Sequence, residues 1–113
     1  MQAKFSYAIK FVADMSKAVR FHRDVLGLPL KFESPEWSEF STGDVTRALH
    51  PASAQIPAGH VELGFSTKDL AQVYAGRAAN GLAFAGEPKP LHGVLLATIT
   101  GSEGESCSLS DMP

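Results

Sequence analysis

Apolar and polar residues alternate near the start of the chain and then change to a helical spacing. Residues Phe5–Phe11 place an aromatic or Ile side chain at every second position, which predicts a β-strand. Asp14 is a good N-cap for the helix predicted next. The apolar residues of that helix form one stripe, made of Met15, Ala18, Val19, His22, Val25 and Leu26. Gly27 is placed to end the helix.

The same order of elements occurs twice along the chain. Three strands are predicted after the first helix, at Leu28–Glu33, Trp37–Ser41 and Val45–His50. A Pro-, Ala- and Gly-rich segment follows and reads as a linker. The second copy has a strand at His60–Phe65 and a helix that Thr67 or Asp69 caps and Gly81 ends. Its remaining predicted elements are a strand at Leu82–Ala85, a loop at Glu87–Pro90, and strands at Val94–Thr100 and Ser106–Ser110.

This repetition predicts an α+β fold made of two βαβββ modules in one chain, which form a curved mixed sheet around a cavity. We expect a single domain over residues 1–113, with module one at 1–52, a linker at 53–59 and module two at 60–113. A half of this size cannot bury the apolar face of its own sheet, so the modules are expected to fold together.

Composition excludes several classes of protein. The 113 residues are 44% hydrophobic and carry a formal net charge of −2, which fits a globular domain and predicts no binding to nucleic acid. No apolar run approaches the roughly 20 residues that span a bilayer, so no membrane association is expected. The single cysteine, Cys107, predicts no internal disulfide and is compatible with the cytoplasm. We expect Cys107 to be a small buried apolar residue.

Three stretches resemble one known family. The run Phe11–Leu30 (FVADMSKAVRFHRDVLGLPL) resembles the opening of the vicinal-oxygen-chelate superfamily, which has glyoxalase, bleomycin-resistance and dioxygenase members. Glu36–Gly43, followed by Ala48–His50, is similar to the later strands of the family's first half. Gly59–Leu70 looks like the start of its second half. The resemblance covers nearly the whole chain and implies the two-module fold, and family members of this size imply a homodimer.

The resemblance also indicates where a metal would bind. Metal-dependent members hold a divalent ion at positions that fall here on Tyr7, Ala48, His60 and Ser108. His60 is the good ligand of these four, and a stable site needs roughly three or four strong donors. The sequence therefore predicts no metal cofactor. The alternative is a rearranged site for Ni, Mn, Fe or Zn, built from His50, His60 and Glu62.

Two kinds of function follow from these residues. The preferred prediction is a metal-free, bleomycin-resistance-like protein that binds a small organic molecule in an aromatic-lined cavity. The alternative is a metal-dependent lyase, isomerase or dioxygenase in which Glu62 or Glu39 moves the proton. The predicted ligand-binding residues are Tyr7, Ile9, Phe11, Trp37, Glu39, His50, His60, Glu62 and Ser108. The aromatic residues among them fit either an ordinary core or a stacking platform for a planar ligand.

Two further histidines are predicted to have ordinary roles. His22 lies on the apolar stripe of the first helix, so we expect a packed imidazole with one hydrogen bond. His92 is in the segment Pro90–Gly93, where we expect it to be solvated, although such a loop could also cover the mouth of the cavity.

Overall fold

The computed structural model describes residues 1–91 and 93–112, so the predicted role of His92 lies outside the described residues. Within this part of the chain there are eight strands and three α-helices. They are β1 Ala3–Val12, α1 Met15–Arg20, β2 Leu30–Phe32, β3 Ser38–Ser41, β4 Thr46–Pro51, β5 Val61–Thr67, α2 Leu70–Ala75, α3 Arg77–Asn80, β6 Lys89–Leu91, β7 Val94–Thr100 and β8 Ser106–Asp111.

The predicted α+β class and the two βαβββ modules are confirmed. The strands of the first module follow the order β2-β3-β4-β1, and those of the second follow β6-β7-β8-β5. In each module the first and last strands pair in parallel, whereas the other neighbours are antiparallel. Each module is therefore a small mixed sheet with the same connectivity.

Packing divides the chain into two compact units. One contains residues 6–62, and the other contains residues 63–113 together with residues 1–5. The start of β1 accordingly contacts module two: the rings of Phe5 and Phe65 lie 5.7 Å apart, and the Thr67 hydroxyl donates to the Gln2 carbonyl at 2.9 Å. These units differ from the predicted modules by residues 1–5 and by residues 53–62.

Helix α1 covers one face of the first sheet. The Asp14 side chain accepts a hydrogen bond from the Lys17 backbone N–H at 3.0 Å, which caps the helix as predicted. The buried cluster beneath the helix consists of Val12, Val19, Phe40 and Leu49. A fully buried apolar side chain of this size stabilises the fold by about 1.5–3 kcal/mol.

The helix does not continue with regular α geometry to Gly27. Residues Phe21–Val25 form a π-helical turn, in which the Leu26 N–H donates to the Phe21 carbonyl. The wider turn shifts the positions that follow, so Val25 is 70% exposed although its spacing places it on the apolar stripe. The prediction that Val25 and Leu26 face the core is therefore wrong.

His22 lies inside this turn and is packed as predicted. It is 2% exposed, its Nδ1 donates to the Ala18 carbonyl at 2.8 Å, and its ring stacks on Phe40 with the centroids 5.3 Å apart. Burial lowers the pKa of His22, and the charges of Arg47 and Lys10 act in the same direction, against the raising effect of the bond to Ala18.

Module two repeats the capping pattern with different detail. Asp69 adopts a left-handed backbone (φ 53°) and its side chain accepts from the Gln72 N–H at 3.2 Å. Asp111 at the end of β8 accepts from the Leu70 N–H at 2.9 Å. Two carboxylates therefore satisfy the first donors of a six-residue helix. The core below contains Leu70, Val73, Ala97 and Leu109, and Cys107 is buried as predicted.

The sixth strand was predicted in the wrong place. Leu82–Ala85 makes a single bridge between Phe84 and Ile99, and the strand lies instead at Lys89–Leu91, within the predicted loop and beyond it. Leu82 and Phe84 are drawn into the core of module two, so this segment follows its packing and not a regular ladder. Pro90 is tolerated because β6 is an edge strand and pairs only with β7.

The predicted linker is folded against β1. The Ala52 N–H donates to the Val12 carbonyl at 2.8 Å, and the Gly59 N–H donates to the Phe11 carbonyl at 2.8 Å. Ile56 packs on the buried cluster that contains Phe11. None of the helices in the described residues has the length and apolar character required to cross a bilayer.

Candidate functional site

Strand register places the predicted aromatic residues of module one on the sheet face opposite α1. Ile9 lies beside Ala48 and Phe11 beside His50 in the β1–β4 pairing, and Glu39 lies beside Ala48 in the β3–β4 pairing. Residues opposite each other in neighbouring strands project from the same face. Phe40 and Leu49, which alternate with them, pack under the helix.

This face has a buried floor. Ile9 and Phe11 are each 5% exposed and Ala48 is fully buried, while the segment after β4 contributes Ile56 to the same cluster. For Ile9 and Phe11 the structure therefore supports the interpretation as core. They hold the more exposed side chains in position and offer little surface of their own to a ligand.

Five rings are in contact in series across this floor. Tyr7 and Trp37 meet edge to face with centroids 6.1 Å apart, and Trp37 meets His50 in the same manner at 6.3 Å. Phe11 lies 5.0 Å from the His50 ring and 5.7 Å from the His60 ring. We call this set the aromatic face, defined by Tyr7, Phe11, Trp37, His50 and His60. Tyr7 and Trp37 are half-buried, and the two imidazoles are exposed.

Glu39 supplies a fixed carboxylate beside Trp37. The indole Nε1–H of Trp37 donates to Oε2 of Glu39 at 2.7 Å, a short charge-assisted hydrogen bond. Oε1 of Glu39 faces the Lys31 ammonium at 3.7 Å. The pKa of Tyr7 is raised, mainly by burial and further by the negative charge of Glu39. The phenol therefore stays protonated, and the field of Glu39 reaches it.

Glu62 supplies a second carboxyl group near the two imidazoles. It is the second residue of β5 and is half-buried, and burial raises its pKa. His60 and His50 lie close enough for their charges to oppose this rise. Nδ1 of His50 is 2.8 Å from the Pro51 carbonyl, which only accepts. In the neutral ring Nδ1 is then the donor, so Nε2 is left as an acceptor.

Ser108 does not belong to the same compact unit. It lies on β8 of module two, opposite Gly64 on β5 and Thr98 on β7, and is partly buried. The other predicted ligand-binding residues all fall within residues 6–62. The structure thus brings together Tyr7, Ile9, Phe11, Trp37, Glu39, His50, His60 and Glu62.

The residues at the family's metal positions do not fit a divalent ion. Ala48 has no donor and is fully buried, and a phenol such as that of Tyr7 is not among the usual ligands of these ions. The rearranged set of His50, His60 and Glu62 is not arranged to hold a metal ion either. Across residues 1–91 and 93–112, no three His, Cys, Asp or Glu side chains are arranged to hold a metal ion. We therefore derive no chemical step through a metal.

Two depressions in the surface lie away from the aromatic face. A shallow groove of about 550 Å³ in module two is lined by residues that include Lys68, Gln72 and Asn80, and a smaller one lies between Asp14 and Pro35. Neither includes a residue of the aromatic face.

Sequence reasoning missed two contributors to this surface. One is Lys31, which lies 3.7 Å from Glu39 at a bulge in β2, where Leu30 lies opposite Phe40 and Phe32 lies opposite Glu39. Such a bulge has no reliable signal in a single sequence. Ile56 lies in a segment that reads as a linker, and an isolated apolar residue between prolines was the available signal.

Comparison with known proteins identifies the family. Residues 4–101 match the model of the Glyoxalase/Bleomycin resistance protein/Dioxygenase superfamily. The chain therefore belongs to this superfamily, as the sequence motifs predict. No match to the chain is found among curated proteins.

Solved structures share the fold at low sequence identity. Methylmalonyl-CoA epimerase from Mycobacterium tuberculosis is 14% identical, with a TM-score of 0.78 over 96% of this chain and 87% of the epimerase chain. A hypothetical protein from Bacillus halodurans is 13% identical, with a TM-score of 0.76 over 100% and 96% of the two chains. A superfamily member from Vibrio splendidus is 19% identical, with a TM-score of 0.63 over 97% and 98%. At these identities the similarity concerns the fold alone.

Proposed function

We propose that this protein binds a small, flat organic molecule carrying a positive charge on the aromatic face, without a metal ion. One observation carries the proposal: the series of contacting rings, two of them exposed imidazoles, is flanked by two carboxyl groups. Glu39 lies beside Trp37, and Glu62 lies near His50 and His60. Small-molecule sites usually combine apolar and aromatic walls with few polar groups.

The geometry favours a planar ligand. The ring pairs are edge to face or tilted, so neighbouring rings present both edges and faces to a molecule that lies on the sheet. Stacking and cation–π contacts with such rings each contribute about 0.5–2 kcal/mol. The buried floor of Ile9, Phe11 and Ala48 keeps the rings in place, which lowers the entropy lost on binding.

The carboxyl group of Glu39 beside the aromatic face favours a positively charged ligand. One oxygen of Glu39 accepts a hydrogen bond from the Trp37 N–H, and the second oxygen faces solvent-exposed Lys31. A positive group near this oxygen gains a charge-assisted contact that a neutral analogue lacks. The alternative function, a metal-dependent lyase, isomerase or dioxygenase, needs donors that these residues do not supply in a suitable arrangement.

Trp37 provides a direct test, because it is the single tryptophan of the chain. We expect N-methylacridinium, a flat cation, to quench Trp37 fluorescence with saturation. Glu39→Gln should weaken this binding by about five- to thirty-fold, the size expected for a charged contact. Glu87→Gln, in an exposed loop, removes one negative charge as a control and should change the affinity by less than about twofold.

Unsaturable quenching by N-methylacridinium, or equal effects of Glu39→Gln and Glu87→Gln, would show that the aromatic face is not a cation site.

We further propose that the protein forms a homodimer and is located in the cytoplasm. The exposed apolar side chains of Phe21, Val25 and Phe32 support association, because exposed patches of this kind commonly mark interfaces.

A further inference from the structure

Glu39 and Lys31 form an asymmetric ion pair at the rim of the aromatic face. The Glu39 side chain is 18% exposed and is held by the Trp37 N–H at 2.7 Å, whereas the Lys31 side chain is 59% exposed. Their charged atoms are 3.7 Å apart, beyond the usual length of an N–H···O hydrogen bond. The carboxylate is therefore fixed, and the ammonium is its loosely held partner.

The position of Lys31 follows from the irregular pairing of β2. In a regular ladder Leu30 opposite Phe40 would place Lys31 opposite Glu39, but Phe32 occupies that position. Two residues of β2 thus face one residue of β3, and Lys31 lies outside the regular ladder. Strand β2 is three residues long, exposed and at the edge of the sheet, so little packing opposes movement of Lys31.

The ion-pair partner of this carboxylate is Lys31. Glu39 lies 2.7 Å from the Trp37 indole nitrogen, and its charge adds to the rise that burial causes in the pKa of Tyr7, so it acts beside two rings of the aromatic face. A ligand lying on those rings therefore meets the same field that holds Lys31.

We propose that Lys31 is a displaceable counter-ion of Glu39 and sets the charge preference of the aromatic face. This inference rests on the proposed function, because it names the residue that a cationic ligand replaces. With Lys31 in place the carboxylate is partly neutralised, so a cation binds only by exchanging with the ammonium. A neutral ligand of the same shape binds without disturbing the pair.

The test compares N-methylacridinium with acridine, its uncharged analogue in mildly alkaline buffer, by Trp37 fluorescence. Lys31→Met should bind N-methylacridinium about two- to five-fold more tightly than wild type, the upper part of the range for one exposed ion pair. Its affinity for acridine should stay within about twofold. Lys17→Met is the matched control: it removes the same charge from an exposed position on α1, which packs on the opposite face, and should leave both affinities unchanged.

A double variant tests whether Lys31 acts through Glu39. In Glu39→Gln, the further change Lys31→Met should have no effect on N-methylacridinium binding, since the carboxylate that Lys31 neutralises is gone. Equal affinities of Lys31→Met and Lys17→Met would overturn the inference and leave the proposed function standing. A gain that extends equally to acridine, or that persists in Glu39→Gln, would also overturn it. Failure of every variant to bind either dye would reject the proposed function itself and this inference with it.

Discussion

Replacing Phe11 with Leu tests whether the buried floor supports the rings of the aromatic face. The Phe11 side chain is 5% exposed, so the smaller aliphatic side chain costs about 1 kcal/mol in lost burial and packing. The contacts with the rings of His50 and His60 add about 0.5 kcal/mol each. We expect Phe11→Leu to lower the free energy of unfolding by about 2 kcal/mol, which is a fall in Tm of about 8 °C.

Phe40→Leu is the matched control on the other face of the same sheet. Phe40 is fully buried under α1 and stacks on one imidazole, that of His22, so we expect a loss of about 1.5 kcal/mol. Urea unfolding followed by circular dichroism measures both losses. Binding separates the two variants: Phe11→Leu should weaken N-methylacridinium about five-fold, and Phe40→Leu by less than about twofold.

Two results would refute this reasoning. A loss of less than about 0.5 kcal/mol in Phe11→Leu would mean that Phe11 is not part of a packed floor. An equal effect of both variants on N-methylacridinium binding would mean that the affinity depends on the overall stability of the fold and not on the aromatic face. Both substitutions are the same chemical change at buried positions of one sheet, on strands β1 and β3. Phe40→Leu therefore controls for general loosening of the fold.

Four further predictions concern stability and assembly. Burial lowers the pKa of His22, so the unfolded chain binds more protons, and the free energy of unfolding should fall as pH drops below about 6.5. Urea unfolding at several pH values should show a smaller fall in His22→Gln than in wild type. Burial raises the pKa of Glu62, so its carboxylate costs stability once pH exceeds about 4.3; Glu62→Gln should be more stable than wild type at neutral pH, and an equal or lower stability would contradict this. Added Ni, Mn, Fe or Zn should leave the Tm of wild type and of His60→Ala unchanged, whereas a bound ion at a hundred times its Kd would raise the free energy of unfolding by about 2.7 kcal/mol. A large rise in the Tm of wild type that His60→Ala does not show would favour the site of His50, His60 and Glu62. Light scattering at tens of micromolar should show a dimer, and a concentration-independent monomer would reject the homodimer.

Local sequence determined most of the elements and their order. The alternation over Phe5–Phe11, the caps Asp14 and Asp69 and the terminal glycines Gly27 and Gly81 each act within a few residues, through backbone geometry and nearby hydrogen bonds. Repetition of this pattern was sufficient to predict two βαβββ modules. Alternation also placed Tyr7, Ile9 and Phe11 together, because side chains two apart on a strand share a face.

The tertiary structure decided features that depend on distant contacts. The π-helical turn at Phe21–Val25, the short strand at Lys89–Leu91 and the bulge at Lys31 all depart from regular spacing, and each departure is set by what packs against it. A one-residue change of register reverses the face of every side chain that follows, so no local pattern reveals it. The pairing of Lys31 with Glu39 is the clearest case. Its residues are ordinary in the sequence, and only the pairing of β2 with β3 in the folded chain brings their charges together beside Trp37.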